Sequence, residues 1–67
     1  MSAEELRAAL HNLSLSQNAA ARFLEVDARR VRRWASGDEE IPAAVAYLLR
    51  VMVRLGLTAS YVEGLEN

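Results

Sequence analysis

The sequence predicts an all-α fold, a compact bundle of four to five helices, and three observations point to it. Apolar residues recur at the three-and-four spacing of a helix face, as in Leu6, Ala9, Leu10 and Leu13. Helix-opening residues (Ser2, Ser16, Asp27, Pro42, Thr58) and helix-ending glycines (Gly37, Gly56) stand at the edges of those apolar runs. No repeat, low-complexity tract or strand-like alternation of useful length interrupts them. With 67 residues the chain is a single domain, 1–67. A chain of this size buries only about 60% of the surface its unfolded form exposes, so its core is small.

Each element follows from local signals. Ser2 with Glu5 forms a capping box for a helix from Ser2 to about Asn12, and Ser14-Leu15 makes the turn. Ser16 caps a short helix from Gln17 to Leu24, whose inner face is Ala20, Ala21 and Leu24 with Phe23 at the edge. Glu25-Val26 is a brief interruption, and Asp27 opens a helix that runs to Ser36. At about 100° per residue, Val31, Trp34 and Ala35 share one side of it. Arg29, Arg32, Arg33 and Ser36 cluster opposite, with Arg30 on the flank. Gly37 ends this helix, and Asp38 to Ile41 reads as a loop whose acids are solvated. Pro42 is expected as the first residue of a helix to Leu55, stopped by Gly56. Thr58 caps a last short helix through Val62 or Glu63. The helix after Pro42 carries Arg50 and Arg54 on one strip and apolar residues elsewhere, so it is expected to be buried nearly all round.

Composition excludes several classes. Absence of cysteine removes disulfides, thiolate metal sites and a cysteine nucleophile together, and fits a cytoplasmic location. No signal peptide is visible in Met1 to Glu5, and Ala43 to Leu55 is too short and too charged to span a bilayer. The single histidine, His11, has no neighbouring ligand pattern and reads as a surface residue near a helix C-terminus. No nucleophile–base pair appears, which argues against an enzyme and against any cofactor or small-molecule ligand. The net charge of −1 hides an uneven distribution: all eight basic residues are arginine, and half are Arg29, Arg30, Arg32 and Arg33. A solvated face is the plain reading of such a run. However, four like charges within five residues, with no acid between them, repel one another, which a helix selected only for stability would avoid.

Two short helices joined by so tight a turn make the helix-turn-helix arrangement. The stretch SQNAAARFLEVDARRVRRWASG, Ser16 to Gly37, resembles the Cro/repressor-type (XRE-like) helix-turn-helix regulators. Ser16-Gln17 opens the first motif helix, Ala21 is the small residue at the helix crossing, and Val26 is the apolar turn residue. Val31 and Trp34 match the buried positions of the second helix, and IPAAVAYLL at Ile41 to Leu49 looks like the fourth helix of such proteins. The resemblance covers about three quarters of the chain. Two positions depart from it. Glu25 stands where the family usually has glycine, a turn position that favours positive φ. Asp38-Glu39-Glu40 is acidic where relatives are often basic or neutral; a solvated loop whose charge suits the start of the next helix is the plain reading, and discouragement of loose DNA contacts the sharper alternative.

The resemblance implies a sequence-specific transcriptional regulator, a repressor by type, that lays the helix 27–36 in the major groove of double-stranded DNA. Ser16, Gln17 and Asn18 would anchor a phosphate at a helix N-terminus. Arg29, Arg32 and Arg33, with Ser36 beside them, would read base edges. Arg30 is assigned to a phosphate or to an acid of its own chain, Glu25 or Asp27. Trp34 shares its face with Val31 and reads as core rather than as a stacking platform. The alternative is a helix-turn-helix-derived interaction module whose arginines bind an acidic protein. The apolar surplus after Pro42 makes 42–67 a candidate dimerisation segment, with Val53, Leu57, Tyr61, Val62 and Leu65 at the contact of a homodimer.

Overall fold

Four side chains open four of the helices. In the computed structural model, which describes residues 1–65, Ser2 accepts the Glu5 N–H at 3.0 Å and Ser16 accepts the Ala19 N–H at 3.0 Å. Asp27 accepts the Arg29 N–H at 2.8 Å and Thr58 the Tyr61 N–H at 3.0 Å. The helices that follow are α1 (Ala3–Asn12), α2 (Gln17–Leu24), α3 (Ala28–Ser36), α4 (Ala43–Leu55) and α5 (Ala59–Gly64). Pro42 lies one position earlier than expected. Its ψ of 141° is extended, and its carbonyl accepts the Ala46 N–H at 3.1 Å, so it precedes α4 instead of being its first residue.

The first four helices end alike. A residue in the left-handed region follows each, and the N–H one position further on bonds a carbonyl five residues back. Those bonds are Leu15 to Leu10 at 2.9 Å, Val26 to Ala21 at 3.0 Å, Asp38 to Arg33 at 2.9 Å and Leu57 to Met52 at 2.9 Å. The left-handed residues are Ser14 (φ 58°), Glu25 (φ 58°), Gly37 (φ 86°) and Gly56 (φ 69°). The positive φ expected of Glu25 is present, and Ser14 adds a second non-glycine position that sequence reading did not single out.

These turns fold the apolar stripes onto one another. The core comprises Leu6, Ala9 and Leu10 of α1, Ala20 and Ala21 of α2, Val31, Trp34 and Ala35 of α3, Ile41, and Ala46, Leu49 and Met52 of α4. Among the described residues no polar or charged residue is buried. α2 packs chiefly on α3, α3 also on α1, and α1 on α4. The small side chains of Ala20 and Ala21 permit the close α2–α3 approach. Polar ties across the surface reinforce this order. The Arg7 guanidinium donates to the Ala35 carbonyl near the end of α3, and Arg50 grips Glu5 through Nε and Nη2 at 2.9 and 3.1 Å. The radius of gyration is 11.1 Å, close to the roughly 10.9 Å of a folded chain this long.

α4 departs from expectation. It buries Ala46, Leu49 and Met52 but leaves Tyr47, Val51 and Leu55 at 65%, 49% and 66% exposure. A bundle this small places neighbours on one side of α4 only, so the strip four residues apart on the far side meets solvent.

Candidate nucleic-acid interface

α3 is positioned from both ends and from behind. Asp27 starts it, Gly37 turns the chain away from it, and Val31, Trp34 and Ala35 bury its inner side. Ala28 is half-buried, and the remaining positions, Arg29, Arg30, Arg32, Arg33 and Ser36, are exposed. Gln17 of α2 joins Arg29, Arg32, Arg33, Ala35, Ser36 and Asp38 around one solvent-open depression. Asn18 lies beside it, its Oδ1 at 3.5 Å from Arg32 Nη1. The structure therefore brings Gln17 and Asn18 at the start of α2 up to the arginine face of α3. Ser16 sits at the same helix end, its hydroxyl occupied by the cap. The Ser36 hydroxyl is 3.1 Å from both the Arg33 carbonyl and an Asp38 carboxylate oxygen, and its one proton serves one of them at a time.

Acids thread this face, contrary to the expectation of an unrelieved basic run. Asp27 Oδ1 accepts from Arg29 Nε at 3.2 Å and Oδ2 from Arg29 Nη2 at 3.0 Å, besides the backbone cap. The Arg29 side chain, and then its backbone N–H, hold the Asp27 carboxyl down at about 2, and Asp27 in turn raises Arg29.

Glu39 belongs to the acidic loop singled out in the sequence, but its pairing was not legible there. Instead of being solvated, it takes Arg30 Nε on Oε2 at 2.9 Å, Arg33 Nε on Oε1 at 3.2 Å, and the Trp34 indole N–H on Oε2 at 2.9 Å. Arg30 first, then Arg33 and Trp34, lower its pKa from the usual carboxylate value. Arg30 also stacks over Trp34, with 5.4 Å from guanidinium carbon to ring centroid. The acid partner of Arg30 is thus Glu39, neither Glu25 nor Asp27. Asp27 is taken by Arg29, and the reversal at Gly37 swings Glu39 back over the flank. The available signal was Gly37 itself. Once it is left-handed, the Asp38 and Glu39 N–H groups both fall on the Arg33 carbonyl, at 2.9 and 3.2 Å, which returns the backbone of Glu39 to the end of α3.

The five residues assigned to a contact between copies are divided. Val53, Leu57 and Val62 are half-buried against the core, whereas Tyr61 and Leu65 are exposed at 57% and 66%. The exposed strip Tyr47, Val51 and Leu55 lies on α4. Among the described residues no group of His, Asp or Glu side chains could hold a metal ion, and no helix is long and apolar enough to cross a membrane. Comparison with protein-family models, curated proteins and solved structures finds no match for this chain.

Proposed function

We propose that the chain is a sequence-specific DNA-binding regulator, a repressor by type, in which α2, the turn Glu25–Asp27 and α3 act as a helix-turn-helix. The observation that carries this reading is the shared depression. Gln17, Arg29, Arg32, Arg33 and Ser36 border it, opposite the buried side of α3. A protruding helix with several guanidinium groups on its outer side fits the major groove, where arginine donates two hydrogen bonds to guanine O6 and N7. At the start of α2 the leading N–H groups have no partner within the helix, and the dipole end is positive, which suits a phosphate beside Gln17 and Asn18. Phosphate contacts there fix register, and α3 supplies sequence readout.

A homodimer completes the proposal. Tyr47, Val51, Leu55, Tyr61 and Leu65 leave apolar surface that a second copy would cover. Two copies about a two-fold axis would set their α3 helices about 34 Å apart, one turn of duplex. Selection of bound sequences from a randomised duplex library tests both parts. A strong symmetric motif is expected. Absence of any enrichment refutes the DNA reading and favours the acidic-partner module.

A further inference from the structure

The arginines of α3 are not equally free. Among the described residues Arg32 makes only the long approach to Asn18, while Arg30 and Arg33 are both held at Nε by Glu39, with no hydrogen bond from their Nη groups. Glu39 is itself fixed, by its backbone N–H on the Arg33 carbonyl at 3.2 Å and by the indole N–H of fully buried Trp34. A carboxylate clamped on Nε orients a guanidinium and leaves its Nη1–Nη2 edge, which carries the paired donors used in end-on contact with guanine.

We propose that Glu39 is the specificity-determining residue of this surface: it aims Arg33 at a base. The proposal rests on the DNA reading above. Two effects follow from one side chain. Arg33 is ordered before it meets DNA, so less side-chain freedom is lost on binding. The negative charge also offsets the attraction every phosphate feels for α3, which lowers affinity for all sequences alike and leaves base contacts to decide. Arg30 shares the same carboxylate and also stacks on Trp34.

The test compares wild type, Glu39→Gln, Glu39→Asp and Arg33→Ala on the duplex chosen by library selection and on an unrelated duplex of equal length. Glu39→Gln removes the charge and is expected to tighten binding to the unrelated duplex. Discrimination between the two duplexes should fall about tenfold, the scale of one two-pronged base contact. The lost preference should fall at the same base pair as in Arg33→Ala. Glu39→Asp keeps the charge but shortens the reach, so affinity for the unrelated duplex should stay at the wild-type value while preference at that base pair relaxes. Circular dichroism and a cooperative thermal melt establish that each variant is folded. Wild-type discrimination in both Glu39 variants, or an equal loss of affinity for both duplexes, overturns the role of Glu39 and leaves the DNA reading standing. A wild-type protein with no preferred duplex overturns both.

Discussion

Glu25 sits at φ 58° and ψ 44°, a backbone that glycine adopts freely and a side chain with a Cβ does not. Glu25→Gly is therefore expected to stabilise the fold by up to about 1 kcal/mol, read as a rise in the denaturant midpoint. A destabilised variant would show that relief of the turn does not outweigh the freedom glycine gives the unfolded chain. Ser14, at φ 58°, is expected to respond to Ser14→Gly in the same direction. The acids make a second prediction at this scale. Asp27 is held at about 2 by the Arg29 side chain against an ordinary value of 3.8, and Glu39 and Glu5 are lowered from 4.5 by Arg30 and Arg50. A carboxyl whose pKa is lowered by folding stabilises the protein above its unfolded value and loses that contribution as pH falls through the folded one. Melting temperature should decline as pH is taken from about 4.5 to about 2. Asp27→Asn should flatten the lower part of that decline. These pairs are exposed, so added salt should shrink the effect. A melt indifferent to pH over this window would mean that the pairs do not form in solution.

At the scale of elements, α3 carries the clearest expectation. Arg29→Ala, Arg32→Ala and Arg33→Ala should each weaken binding to the selected duplex about tenfold, and at least one should relax base preference. Gln17→Ala should weaken all duplexes evenly, because phosphates carry no sequence code. Titrations on matched and mutated duplexes decide it, and arginine variants that bind like wild type would refute α3 as the reading helix. How these elements were legible is itself physical. Ser2, Ser16, Asp27 and Thr58 act within three residues of themselves, and Gly37 and Gly56 end helices locally, so the order and approximate bounds of all five helices could be read from the chain. The inner side of α3 was likewise legible from the spacing of Val31, Trp34 and Ala35. Glu39 was not, since its partners lie five, six and nine positions back across a chain reversal that no periodicity encodes. Nor was the exposed strip of α4. A helical wheel registers that Tyr47, Val51 and Leu55 are apolar, but only the packed bundle shows that no element among the described residues covers them.

For the molecule as a whole, the uncovered strip predicts association. Wild type should sediment as a dimer at micromolar concentration and melt at a temperature that rises with concentration. Val51→Glu or Leu55→Glu should yield a monomer, because an unpaired carboxylate is expensive to bury between copies. Both positions are exposed, so these changes spare the core, whereas Leu57 is half-buried against it and would confound association with folding. A monomeric wild type would leave the proposed regulator with a single half-site. The division of labour within α3 has a different consequence. Its interior is wholly apolar and rests on Val31, Trp34 and Ala35, while Arg29, Arg32 and Ser36 touch none of the buried core through hydrogen bonds to side chains. On the proposed reading, substitution at Arg32 changes what the surface recognises and leaves the apolar core intact. That independence ends at Asp27, which caps α3 and pairs with Arg29, and at Glu39. Glu39 touches Arg30, Arg33 and Trp34 together, so on the same reading a new target drawn through Arg33 brings a change at Glu39 with it.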